Sequence, residues 1–240
     1  DNESHNLTDD PGTPQTDTAF EDDSVSETFA VVLTDTDGDT ANTSITVKIV
    51  DDIPVASTTV LLTGTVDEDG VTGGIAGGTG DVTGENTVAS GSVATLFNSG
   101  ADAPLNYALA TDTVTTLVAL NLTSANAALT YAVIGDTVTA TANSGTIFTF
   151  KLTSAGAYTF TLEDQLDHAS GSDENDLPIN LSGIITAKDA DGDSVTAAAS
   201  GLIITVDDDT PTAADPENAF LANEVGSTLT GSLNSFYGAD

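Results

Sequence analysis

The chain repeats itself with a period of about 155 residues. Asp-Thr-Asp-Gly-Asp at 35–39 returns as Asp-Ala-Asp-Gly-Asp at 189–193, and the apolar residues before each also correspond. Ile-Thr-Val-Lys-Ile-Val-Asp-Asp-Ile-Pro-Val-Ala at 45–56 returns as Leu-Ile-Ile-Thr-Val-Asp-Asp-Asp-Thr-Pro-Thr-Ala at 202–213. A third segment, 91–102, returns at 231–240 and ends both times in Gly-Ala-Asp. A fixed self-similarity means an array of like units, each a structural module. The offsets are 154, 157 and 140, so loops change length between copies, most of all between Gly70 and Gly91. The expected division is 1–52 as the closing part of one repeat, 53–209 as a complete repeat, and 210–240 as the opening part of a third.

Each unit reads as β-structure. Period-2 alternation and β-branched residues predict strands over 28–34 and 43–50, joined by the Asp-rich turn, with 1–27 a polar loop. Further strands are expected at 57–66, 92–97, 105–110 and 114–121. The clearest passage is 128–162, where four alternating runs are separated by tight turn signals. Gly135-Asp136 is the two-residue hairpin signal of the primed type. An acidic loop over 163–177 and a closing strand pair, 178–187 with 195–206, complete the unit. No window sustains a 3.6-residue period. The expected fold is all-β, with each unit a β-sandwich.

The formal charge is −35 on 240 residues, with only three basic side chains. Nucleic acid is excluded as a partner, because a phosphate backbone needs clustered Lys and Arg. An anionic membrane surface is excluded on the same ground, and no run of 18 apolar residues predicts a membrane-spanning helix. Hydrophobic residues make up 39% of the chain, and their repeated short alternating runs separate it from disordered acidic chains. There is no cysteine, so neither disulfides nor thiolates can stabilise it. Self-repulsion at this charge calls for counter-ions.

The candidate ligands follow from that need. Asp35, Asp37 and Asp39, and again Asp189, Asp191 and Asp193, place three carboxylates on alternate positions of a tight turn. They can converge on one hard cation, Ca2+, while the Gly permits the sharp bend. The loop is no EF-hand: its Gly is fourth, and Thr46 and Ser200 stand where a bidentate Glu belongs. The bland alternative is a hydrated hairpin turn, which Asp-Gly also favours. A second candidate group lies at the repeat boundaries: Asp51 and Asp52 before Pro54, Asp208 and Asp209 before Pro211, with Glu68 and Asp69 as contributors from a neighbouring loop. Glu163, Asp164, Asp167 and His168 end the meander, but no second His, nucleophile or catalytic signature accompanies them. An enzyme is not expected.

These signposts together resemble the long type I secretion target repeat of giant RTX adhesins of Gram-negative bacteria. The resemblance rests on Asp67-Glu68-Asp69-Gly70, Gly91-Ser92 with Leu96-Phe97 and Gly100-Ala101-Asp102, Gly156-Ala157-Tyr158-Thr159-Phe160-Thr161-Leu162, Leu166-Asp167-His168, Glu174-Asn175, and 189–194 running to Asp208-Asp209-Thr210-Pro211. It implies an all-β fold of tandem immunoglobulin-like β-sandwich modules with calcium-binding loops, strung between a membrane anchor and a distal ligand-binding end. The expected function is thus an extender of a secreted surface adhesin in cell adhesion or biofilm formation. Its partners would be the neighbouring repeats of the same chain. The alternatives are a subunit of a head-to-tail extracellular filament and a ligand-binding module of the same adhesin.

Overall fold

The computed structural model describes residues 24–50, 52–78, 80–81, 83–143, 145–171, 174–190, 192–213, 220–221 and 223–239. Of the expectations above, those for 1–23, Asp51, Asp191 and 214–219 lie outside the described residues. The described residues are all-β apart from one six-residue helix and short 3-10 turns.

β1 (Ser24–Thr34) and β2 (Thr40–Val50) form a long antiparallel hairpin, in register from Ser24↔Val50 to Thr34↔Thr40. It starts earlier than the alternation predicts, so 24–27 belong to a strand. β3 (Val55–Ala56) follows Pro54 and pairs with β6 (Phe97–Asn98). Between them come β4 (Leu62–Asp67), a 3-10 turn at Glu68–Gly70, and β5 (Val88–Ser92). β7 (Asn106–Leu109) leads into α1 (Thr113–Val118), and β8 (Thr123–Ser124) with β9 (Ala127–Ala128) makes a tight hairpin.

β10 (Thr130–Ile134), β11 (Thr137–Ala142), β12 (Gly145–Leu152) and β13 (Ala157–Leu162) form the expected antiparallel meander. Ile134 pairs with Thr137, so Gly135-Asp136 is the two-residue loop. β5 adds to β13, completing a five-stranded sheet. β14 (Leu177–Asn180), β17 (Leu202–Asp207) and β4 form a second sheet, in which β17 and β4 run parallel from Leu202↔Leu62 to Asp207↔Asp67. β16 (Ser194–Thr196), β15 (Ile185–Lys188) and β7 form a third. β18 (Thr212–Ala213) pairs with β19 (Ser235–Phe236).

Alternate residues of these sheets share one core. Phe148, Phe150 and Phe160 are fully buried, and the Phe148 and Phe160 rings stack with centroids 4.9 Å apart. Opposing them are Leu202, Ile204 and Val206 of β17, all without exposure. Burying each such side chain contributes about 1.5–3 kcal/mol. The sheets also approach closely at Gly64, where a Cβ would stand 2.9 Å from both Ala89 Cβ and Ile204 Cδ1.

Four strand expectations are corrected. The strand expected at 92–97 is interrupted: β5 ends at Ser92, a 3-10 turn fills Ala94–Leu96, and β6 begins at Phe97. Residues 114–121 are not a strand: Thr113 and Leu117, four apart, bury one face of α1. The segment spans under two turns, too short to display a 3.6 period, and its β-branched residues imitate a strand. The strand expected over 57–66 begins only at Leu62, because the Ser57 hydroxyl draws the Thr59 and Val60 amides into a turn. The closing pair is real but divided between two sheets. Its first half pairs β14 with β17, its second pairs β15 with β16, and the 3-10 turn Ser182–Ile184 separates them. Side chains make that break: Asn180 Oδ1 accepts from Ser182 N at 3.0 Å, and Ser182 Oγ accepts from Leu202 N at 2.9 Å.

Candidate metal centre

The parallel strands β4 and β17 each end in acids, Asp67-Glu68-Asp69 and Asp207-Asp208-Asp209, and Asp67 pairs with Asp207 in register. The ladder ends at Asp67 and Asp207, and Glu68 opens a 3-10 turn that carries the next acids away from the strand. The six acids divide about this point. Asp67 and Asp207 converge with Asp81, one carboxylate oxygen of each lying within 4.8 Å of the others. Glu68 and Asp208 converge instead with His168, within the same limit. All six are buried.

Among the described residues, the titratable groups that converge on the Asp67 side are all carboxylates. Asp67 Oδ1 accepts from Asp69 N at 2.8 Å, while its Oδ2 is buried without a hydrogen-bond partner. Asp69 Oδ2 accepts from Gly77 N at 3.0 Å, and its Oδ1 is buried and unpartnered. Asp209 Oδ1 accepts from Ile75 N at 3.4 Å. The 71–78 loop therefore closes over the acids with its amides. Glu174 enters from the acidic loop, and neither of its oxygens has a partner. Burial, then the neighbouring carboxylates, push the Asp69 carboxyl up to about 6 and that of Glu174 up to about 7. Asp67 is raised for the same reasons. An uncompensated buried charge costs several kcal/mol. Such a group of oxygens could hold a metal ion, and a divalent cation would satisfy the unpartnered atoms together.

On the other side, His168 Nε2 stands 3.3 Å from Glu68 Oε1, which also accepts from Leu166 N at 2.7 Å. Burial pushes the imidazole down, and the Glu68 carboxylate outweighs it, so the net direction is up.

The two Asp-rich loops fold alike. Asp35 Oδ1 accepts from Gly38 N at 3.1 Å and Asp39 N at 2.8 Å. Asp189 Oδ1 accepts from Gly192 N at 3.0 Å and Asp193 N at 2.7 Å. The glycines take φ of +104° and +132°, which other residues rarely adopt. Asp35, Asp37 and Asp39 are exposed and close enough together to share an ion. The Asp37 carboxyl, then the Asp39 and Gly38 amides, hold Asp35 below the usual range. Asp189 differs in being buried, and the Asp102 carbonyl accepts from the Ala190 amide beside it.

The boundary acids have a different arrangement from the expected one. Asp208 and Asp209 meet Glu68 and Asp69 within the 53–209 unit, because β4 and β17 are neighbours in one sheet. Asp52 does not join them: its exposed carboxylate accepts from Ala101 N at 2.7 Å. Asp209 makes the corresponding bond onward, its Oδ2 accepting from Ala239 N. The flanking ladders correspond too, Val55↔Asn98 matching Thr212↔Phe236. Both the carboxylate–Ala bond and the short ladder thus occur twice at the repeat offsets.

Sequence reasoning named Asp67 within an acidic motif and Glu174 as a mark of the resemblance without making either a ligand, and it passed over Asp81. Asp81 lies in a Gly-rich loop with no periodicity, and Glu174 in an irregular acidic one. Only the tertiary fold brings them to the strand ends. Comparison with protein-family models, with curated proteins and with solved structures gives no match.

Proposed function

We propose that the chain is an extender segment of a secreted bacterial surface adhesin, built of tandem immunoglobulin-like β-sandwich modules that Ca2+ stiffens into a rod. The division would be 1–52, 53–209 and 210–240. The observation that carries this reading is the buried carboxylate group at the ends of β4 and β17, with unpartnered oxygens on Asp67, Asp69 and Glu174. An all-oxygen donor set suits a hard cation, and Ca2+ accepts six to eight oxygens in irregular geometry. Extracellular modules bind Ca2+ with Kd on the order of 10⁻⁴–10⁻³ M, so occupancy would follow export into calcium-rich surroundings. The recurrent boundary bonds supply the second support, since a spacer needs each unit fixed to the next. No catalytic constellation accompanies these features among the described residues, and the resemblance to RTX adhesin repeats points the same way.

The test is thermal melting in chelator against millimolar Ca2+. A site held at ten times its Kd adds about 1.4 kcal/mol, so several sites should raise the melting temperature by many degrees. An equal melting temperature in both buffers would overturn the reading. Mg2+ should substitute poorly, because it demands tight octahedral geometry and sheds its waters reluctantly.

A head-to-tail filament subunit is the alternative, and one observation favours it. Ile45, Val47 and Ile49 of β2 are 57%, 45% and 42% exposed, whereas their repeat equivalents Leu202, Ile204 and Val206 are wholly buried. An open apolar sheet face can be covered by another copy. Sedimentation in Ca2+ separates the two: concentration-dependent growth supports the filament, and a monomer supports the extender.

A further inference from the structure

We propose that Glu68, His168 and Asp208 form a site for a borderline divalent transition-metal ion of the Zn2+ class, separate from the all-carboxylate group on the other side of the same strand ends. The inference is independent of the calcium reading and begins with the hydrogen bonds of the imidazole. His168 Nδ1 faces the carbonyl oxygen of Asn175. A carbonyl has no hydrogen to give, so Nδ1 is the donor and carries a proton. Nε2 then faces Glu68 Oε1 at 3.3 Å. Nitrogen lone pair and carboxylate oxygen cannot face each other unless something positive lies between them. That is either a second proton, on the ring or on the Glu68 carboxyl, or a metal ion.

The third member decides between these. Asp208 brings a carboxylate oxygen within 4.8 Å of both atoms, while its Oδ1 accepts from Asp209 N at 3.1 Å. A proton at either place sets two carboxylates against one positive charge in a buried pocket, where the His168 side chain is only 4% exposed and that of Glu68 not at all. A divalent ion with neutral imidazole and two carboxylates sums to zero. The spacing also fits. Two ligands at 2.0–2.1 Å in tetrahedral geometry stand about 3.3 Å apart, which matches the Nε2–Oε1 separation. The Nδ1–H donation to a main-chain carbonyl is the outer contact that orients a metal-binding histidine. Imidazole among the donors selects Zn2+ or a similar ion over Ca2+, which prefers oxygen. Three protein ligands would leave the fourth position for water.

The test is calorimetric titration of ZnCl2 into the intact 240-residue chain, in chelator-stripped buffer and again in millimolar Ca2+. One Zn2+ equivalent is expected in both, with His168→Gln losing it while its calcium equivalents and circular dichroism stay unchanged. Should H168Q fail to fold, Asp208→Asn, which preserves shape, carries the same expectation. Co2+ should give the visible absorption of a four-coordinate ion, and the variant should lose it. Three results would overturn the proposal: no Zn2+ uptake, uptake that neither variant changes, or Ca2+ displacing the Zn2+ one for one. If Ca2+ binds nowhere and Zn2+ binds through His168, the calcium reading fails and this one stands.

Discussion

A buried carboxylate can be neutralised by a proton, a cationic side chain or a metal ion, and the surroundings of Asp69 and Glu174 favour the proton wherever an ion is withheld. Their raised values mean that the folded, metal-free chain holds protons the unfolded chain releases. The stabilisation is complete below the unfolded values of 3.8 and 4.5 and is lost as pH climbs through about 6 and about 7. Chelated protein should therefore melt at a lower temperature at pH 7.5 than at pH 5, and the gap between calcium and chelator should widen across the same window. A melting temperature that rises over that window in chelator would contradict this. Asp35 and Asp136 shift downwards and act only at more acid pH. Glu174→Gln should separate the two effects at neutral pH, raising stability in chelator and lowering it in Ca2+. The loss in Ca2+ should be on the order of 1.4 kcal/mol if one site goes from ten times its Kd to vacancy. Loop conformation was legible in the sequence where local spacing sets it, as in the Asp35 and Asp189 turns. Glu174 and Asp81 were not legible as ligands, because a residue in an irregular loop gains its neighbours only from the path of the whole chain.

At the scale of elements, the meander could be read in advance because β11 and β13 alternate cleanly and every turn carries its own Gly, Asn or Ser. α1 and the divided closing pair could not. The helix depends on what Leu117 packs against, and the break between sheets on hydrogen bonds that Asn180 and Ser182 make to the main chain. Leu117→Ala should cost about 2–5 kcal/mol as a core truncation, read by urea denaturation. A loss below about 1 kcal/mol would mean the helix packs only loosely. Gly64→Ala tests the opposite limit. Its Cβ would stand 2.9 Å from two side-chain carbons, and overpacking of this kind costs about 1–3 kcal/mol. A neutral outcome would show that β4 and β5 can separate without penalty.

At the scale of the whole molecule, Asp52 ties the segment before Pro54 to Ala101 across 49 positions of chain. Asp52→Ala should leave the melting of the 53–209 unit unchanged but widen the distribution of small-angle scattering dimensions and expose the boundary to proteases. Unaltered scattering and digestion would deny Asp52 a role in orienting the units. The parallel pairing of β4 with β17 has a further consequence, for force. A chain pulled from both directions drags β4 backward by its first residue and β17 forward by its last. Because the two run side by side in the same direction, such tension shears their ladder along its length, loading every pair from Leu202↔Leu62 to Asp207↔Asp67 at once. A zipper geometry would break the same bonds one at a time under far smaller loads. The carboxylates that close the ladder lie where slippage would begin, so an ion bound there would act as a rivet against tearing.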